Sequence, residues 1–162
     1  MNKFEKVTGY DVNLPVRATK YSAGYDLESA ETVVLKPFET KLIKTGIKAD
    51  MDEGYYLQLA MRSSMSLKRH LIMTNGIGVI DKDYYNNEEN EGHIHCMVTN
   101  IGENDVTIEK SERICQAIFV RYGLTDNDSA KGVRSGGFGS TGVSNHVEAI
   151  YKKMQQDKAN GY

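Results

Sequence analysis

At 162 residues, with 20 basic and 22 acidic side chains and a formal net charge of −2, the chain suits one domain with a real hydrophobic core. A charge this close to balance gives no general attraction for nucleic acid or an anionic membrane, and leaves room only for a local cationic pocket that takes a small anion. The two cysteines, Cys96 and Cys115, stand alone in apolar runs, no run approaches membrane-spanning length and no signal peptide opens the chain, so a soluble cytoplasmic protein with two reduced core thiols is expected.

Short apolar or alternating runs at 33–36, 42–48, 55–61, 77–80, 94–98, 106–108 and 114–121 predict strands, many of them separated by Gly, Asn, Asp or Pro. Strands this short and this frequent predict an all-β, jelly-roll-like barrel or sandwich. A short helix is expected over 64–70, after Arg62, with Ser63 or Ser64 near its start. The polar, acidic segment 86–92 reads as an exposed loop between strands. Residues 124–142 are rich in Gly, Ser, Asp and Asn and hold few aliphatic side chains, so that stretch is expected to stay mobile until something holds it. Beyond it, Val147, Ile150, Tyr151 and Met154 make a helical stripe. The expected layout is a β-barrel core over 1–123, a mobile arm over 124–142, and a tail over 143–162 that either forms a short helix docked on its own oligomer or on a protein partner, or is disordered.

Several segments carry candidate chemistry, each with a plainer alternative. Gly78-Val79-Ile80-Asp81-Lys82-Asp83-Tyr84 delivers two carboxylates and an aromatic ring at the end of a strand. Alternation sends Asp81 and Asp83 to one side and Tyr84 to the other, unless a turn intervenes. Asp81 reads as a turn-capping aspartate or as a general base that takes a proton from water. Arg62-Ser63-Ser64 reads as a helix start with a surface arginine, or as hydroxyls, N–H groups and a guanidinium that receive phosphate oxygens. Gly136-Gly137-Phe138-Gly139-Ser140-Thr141-Gly142 reads as a linker, or as a backbone nest for an anion with one ring that stacks on a nucleobase. Asp26 lies in a Gly-rich turn and reads as a turn former or a metal contact. Gln116, on an apolar strand, needs a partner for its amide, either a phosphate or a carbonyl. His93 and His95 share a strand face, but no third ligand at zinc-like spacing accompanies them.

Taken in order with Ala23-Gly24-Tyr25-Asp26-Leu27 and Glu112-Arg113-Ile114-Cys115-Gln116, these segments resemble the five motifs of the trimeric dUTPases, from about residue 22 to 142. The resemblance implies a β jelly-roll-like subunit in a homotrimer, with three active sites at subunit junctions, each built from all three chains. It implies hydrolysis of dUTP to dUMP and pyrophosphate, which lowers dUTP and supplies dUMP for dTMP synthesis, and a Mg²⁺ ion carried mainly by the triphosphate and waters. By position, Asp81 activates the water that attacks the α-phosphorus. Tyr84 packs on deoxyribose and leaves no room for a 2′-hydroxyl. Asn75 and the backbone of the hairpin through Gly78, Val79 and Ile80 read uracil. Arg62, Ser63, Ser64 and Gln116 hold phosphates. Arg134, Ser140 and Thr141 clamp the γ end, Phe138-Gly139 covers the base, and Asp26 touches a metal-bound water. Met61 stands where the family usually has proline, Tyr85-Asn86 replaces a basic residue and glycine, 86–91 looks inserted, and Arg134 lies one residue closer than usual to Gly136. Two rivals remain: a dCTP deaminase, which needs a glutamate near Asn100 where the chain reads Cys96-Met97-Val98-Thr99-Asn100, and a non-catalytic nucleotide-binding regulator.

Overall fold

The computed structural model describes residues 1–132. Twelve strands form four antiparallel sheets among these residues. The largest has five strands in the order β2 (Val16–Arg17), β3 (Tyr25–Glu28), β12 (Arg113–Arg121), β7 (Tyr55–Met61) and β9 (Gly78–Ile80). A three-stranded sheet runs β5 (Thr40–Lys44), β10 (His95–Asn100), β8 (Leu71–Met73). Two pairs complete the set: β1 (Lys3–Lys6) with β6 (Ile47–Asp50), and β4 (Val33–Leu35) with β11 (Val106–Ile108).

Alternation explains the packing. In β10, Cys96, Val98 and Asn100 are buried while His95, Met97 and Thr99 are half-buried. The inward side chains meet those of the five-stranded sheet in one core, where Leu27, Leu35, Ile43, Leu57, Leu59, Ile94, Ile108 and Ile114 are almost fully enclosed. Each such side chain contributes about 1.5–3 kcal/mol relative to exposure. Phe4 of β1 packs on Tyr25 and Phe119, with ring centroids 5.3 and 5.1 Å away, and ties the small β1–β6 sheet to the large one. Cys96 and Cys115 are free thiols in the core; a hydrogen bond from one to the other, then burial, pushes Cys115 well above the usual thiol range.

The expected strand over 42–48 is two strands, because Gly46 turns the chain with φ 68° and leaves its α-carbon against the ring of Tyr10. β1, β2, β3 and β8 were not signalled by hydrophobic pattern, since each has four residues or fewer and draws its order from neighbouring strands. The helix α1 (Ser63–Arg69) starts with Arg62 as its N-cap rather than a serine, and ends on His70 in the left-handed conformation, φ 53°. Lys68 and Arg69 lie in its last turn, where cations suit the dipole.

Candidate active site

The middle of β12 organises one end of the site. Gln116 stands opposite Asp26 of β3 on one side and Ala60 of β7 on the other, so these three side chains share a face of the sheet. Arg62, two residues past Ala60, points the same way. Asp26 is therefore not in a turn, as its glycine-rich surroundings suggested, but buried in a strand at 6% exposure. Two guanidiniums compensate it: Arg62 Nε lies 3.0 Å from Oδ1 and Arg113 Nη1 lies 3.2 Å from Oδ2. The Arg62 N–H is not aligned with its oxygen, which leaves Oδ1 buried without a hydrogen bond among the described residues. Gly24 serves close packing here: a Cβ on it would lie 2.9 Å from both Cβ and Oε1 of Gln116. Gln116 itself is half-buried rather than enclosed, and its amide makes no side-chain hydrogen bond to the described residues.

Because Arg62 is the N-cap and makes no side-chain capping bond, the hydroxyls of Ser63 (exposed) and Ser64 (half-buried) are not spent on the helix start. A groove of ≈ 420 Å³ opens beside them, lined by Arg62, Ser64, Met65, Lys68, Arg69, Ser111, Glu112 and Arg113. Arg69 is committed to Glu112 and to the Thr107 carbonyl. The other cations outnumber Asp26, so the groove suits a polyanion such as a triphosphate.

The second end lies along β9. The turn before it is exposed at Asn75, Gly76 and Ile77, with Gly76 at φ 72°. Its arms are not a paired hairpin. β8 pairs with β10, and β9 pairs with β7, so the turn bridges two sheets. Thr74 N–H donates to the Met97 carbonyl at 3.0 Å, which fixes the turn against β10. Gly78 packs on Leu59, Ile80 faces the core and Val79 is half-exposed. Asp81 follows in extended conformation, half-buried, and opens a single 3₁₀ turn over Lys82–Tyr84. Through that turn Ile80 and Tyr84 face inward, while Asp81 is half-buried and Asp83 exposed. Tyr84 is 2% exposed, so it offers a narrow rim rather than an open stacking face.

Register fixes how far apart the two ends lie. Ile80 pairs with Leu57, which puts Asp81 beside Tyr56, while Arg62 is six residues further along the same strand direction. At ~3.3 Å per residue that is about 20 Å. One chain does not bring Asp81 to the phosphate groove at its own Arg62.

The profile of the dUTPase family matches residues 10–142. The chain belongs to the dUTPase family. It is 49% identical over 145 residues to the deoxyuridine 5'-triphosphate nucleotidohydrolase of Lactococcus lactis subsp. lactis (strain IL1403), covering 86% of this chain and 97% of that one. The crystal structure of dUTPase from Streptococcus mutans superposes with a TM-score of 0.75 at 42% identity, over 77% of this chain and 99% of the other. The Staphylococcus bacteriophage 80alpha dUTPase with dUPNHPP gives a TM-score of 0.68 at 29% identity, over 88% and 99%.

For a metal-dependent dUTPase, the donor set here fits an ion held at one remove. Among the described residues no three His, Cys, Asp or Glu side chains gather to hold a metal. The buried Oδ1 of Asp26 is a hard acceptor lacking an aligned donor, and a metal-bound water would supply one. The two guanidiniums on Asp26 oppose direct ligation.

His93 is structural. Its Nε2 accepts the Gly46 N–H at 2.8 Å, its ring packs on Tyr10 and His95, and burial, then His95 and Lys44, push its pKa down to about 4. Burial lowers His95 as well. Arg113 is the residue the sequence reading left without a role, although it sits inside a motif. Arg134, Phe138, Gly139, Ser140, Thr141 and the helical stripe of the tail lie outside the described residues. No helix among the described residues is long and apolar enough to cross a membrane.

Proposed function

We propose that this chain hydrolyses dUTP to dUMP and pyrophosphate, as a homotrimer whose active sites draw on more than one subunit. The separation of about 20 Å between Asp81 and Arg62 along β7 carries the reading. Each end is complete as half a dUTP site, and only a second copy joins them. The turn from Asn75 to Ile80 offers exposed backbone donors and acceptors to uracil. Cytosine presents the reversed pattern, and the methyl group of thymine meets the wall of the turn. Arg62, Ser63, Ser64 and Gln116 of a neighbouring subunit hold the phosphates, while Asp26 and the Arg113 carbonyl, which accepts from Arg62 Nη1 at 3.4 Å, hold Arg62.

Asp81 accepts a proton from a water while the water oxygen attacks the α-phosphorus. The bond to the bridging oxygen breaks, and pyrophosphate leaves in line with the attack. A Mg²⁺ carried by the triphosphate, with Asp26 holding one of its waters, would neutralise charge on the leaving group. Residues 124–142 close over the site as an arm, with Phe138 on the base and Arg134, Ser140 and Thr141 at the γ end; residues 1–123 form the core that the arm closes on. A deaminase is disfavoured: Asn100 donates from Nδ2 to the Leu35 and Asn104 carbonyls, at 3.0 and 2.8 Å, and no glutamate lies on β10.

Incubation with dUTP or dCTP and Mg²⁺, with products resolved by ion-exchange chromatography, tests this. The expected outcome is dUMP and pyrophosphate from dUTP and no reaction of dCTP. Ammonia release from dCTP, or inert dUTP, overturns it.

A further inference from the structure

The segment 86–92 is not the solvated loop its composition predicts. It is built around Tyr84. The Tyr84 hydroxyl donates to the His93 carbonyl at 2.9 Å and accepts from Asn90 Nδ2 at 2.8 Å. Behind the ring, Asn87 Nδ2 donates to the carbonyl of Tyr84 itself at 2.8 Å and to Asn90 Oδ1 at 2.9 Å. Asn87 Oδ1 takes the N–H groups of Glu89 and Asn90, and Asn90 Oδ1 takes that of Gly92. Asn87 is 9% exposed, deep for an asparagine in an acidic loop. Gly92 closes the knot at φ 79°, where a Cβ would lie 2.6 Å from the Tyr84 carbonyl oxygen. Glu91 fixes the outer side, accepting from Lys48 Nζ at 3.2 Å and Thr8 Oγ1 at 3.0 Å.

We infer that Asn90 and Asn87 are positioning residues for discrimination between deoxyribose and ribose, acting through Tyr84. The inference rests on the reading of Tyr84 as the wall that excludes a 2′-hydroxyl. Excluding a single oxygen atom by contact requires a wall that does not yield, because a ring free to tilt by a fraction of an ångström admits the larger sugar. The loop holds Tyr84 at both polar ends, the hydroxyl and the carbonyl. It also occupies the hydroxyl's donor and one of its acceptor positions, so a ribose hydroxyl meets a contact with little compensation from the tyrosine oxygen. The role belongs to the inserted segment, and it explains why that segment is asparagine-rich: Asn offers an amide that bonds backbone on one side and a side chain on the other.

The test is kcat/KM for dUTP and for UTP in the full-length protein and in Asn90→Ala, Tyr84→Phe, Tyr84→Ala and the Asn90→Ala/Tyr84→Phe double variant. Asn90→Ala is expected to lower the dUTP/UTP ratio about tenfold or more, chiefly by a gain on UTP, with kcat on dUTP held within about threefold. Tyr84→Phe lowers the ratio by the same route, so the double variant falls no further than the larger single effect. Should Asn90→Ala fail to fold by thermal melting, Asn90→Asp keeps the acceptor for Gly92 and removes the donor to Tyr84, and Tyr84→Phe tests the same contact from the other side. If Tyr84→Ala leaves the ratio unchanged, the wall itself is wrong and the positioning role falls with it. If Tyr84→Ala collapses the ratio while Asn90→Ala and Tyr84→Phe preserve it, the wall stands and the positioning role is overturned.

Discussion

Two inactive variants, Asp81→Asn and Arg62→Gln, are expected to rescue each other when they share one trimer. Each alone is crippled. Loss of a general base costs ~10²-fold or more in turnover. Loss of the arginine costs about 30-fold or more in kcat/KM, from 2 kcal/mol or more for a charge-assisted contact. The geometry fixes what mixing does. Asp81 lies six residues of β7 away from Arg62, so in the proposed trimer a site would take its base from one chain and its arginine from another. In equal, random mixing, the base chain is intact at Asp81 in half of the draws and the phosphate chain is intact at Arg62 in half, so about a quarter of sites are wild-type. Co-expression with two affinity tags, tandem purification and pyrophosphate release read the outcome. Tandem selection discards the two single-type trimers, and each mixed trimer holds one wild-type site in three, so recovery near a third of wild-type kcat supports the shared site. Activity that stays at the mean of the two parent variants refutes it, since a site contained in one chain always carries one lesion.

Gly24→Ala pushes a methyl into Gln116 and is expected to raise KM for dUTP several-fold, at a packing cost of about 1–3 kcal/mol; unchanged KM removes Gln116 from the phosphate site. Asp26→Asn leaves two arginines without their carboxylate, and urea unfolding is expected to show a loss of about 3 kcal/mol, the lower end for a broken buried pair because Arg113 is half exposed to water. His93 has a folded-state pKa of about 4 against an ordinary 6.5, so the unfolded chain binds its proton first as pH falls. Stability is therefore full above pH 6.5 and declines toward pH 4, by on the order of 3 kcal/mol, and His93→Gln, which still accepts from Gly46, flattens that slope in pH-dependent melting. A chain ended at Gly132 is expected to keep the melting temperature of the full-length protein and lose most turnover, and Phe138→Ala to weaken dUTP binding by about 1–3 kcal/mol in calorimetry.

Elements with their own alternation or punctuation were legible from pattern. β7 and the three-residue β11 fall on their expected residues and α1 within one. The motif order was legible too, but its three-dimensional meaning was not. Asp26 read as a turn because Gly24 precedes it; the glycine is there for Gln116, a contact from a strand about ninety positions away. Tyr84 read as lying on the side away from Asp81 and Asp83, and its burial with Ile80 agrees, although a 3₁₀ turn rather than a strand carries it there. Segment 86–92 read as solvated because composition registers charge and polarity, while the knot depends on which amide of Asn87 and Asn90 meets which backbone group. Arg113 carried no signal beyond its motif, because its partner Asp26 is distant in sequence.

The turn that follows β8 and precedes β9 has a consequence beyond base recognition. One arm is fastened to the three-stranded sheet and the other to the five-stranded sheet, so its shape works as a gauge of the offset between the two layers. Any change that slides one layer against the other, such as a bulkier side chain at Leu59 beneath Gly78, deforms the turn proposed to read the pyrimidine. Fidelity for the base is then inherited from the interior, and a neutral-looking exchange of one aliphatic residue for another in the core alters which nucleotide is accepted without touching an atom that meets it.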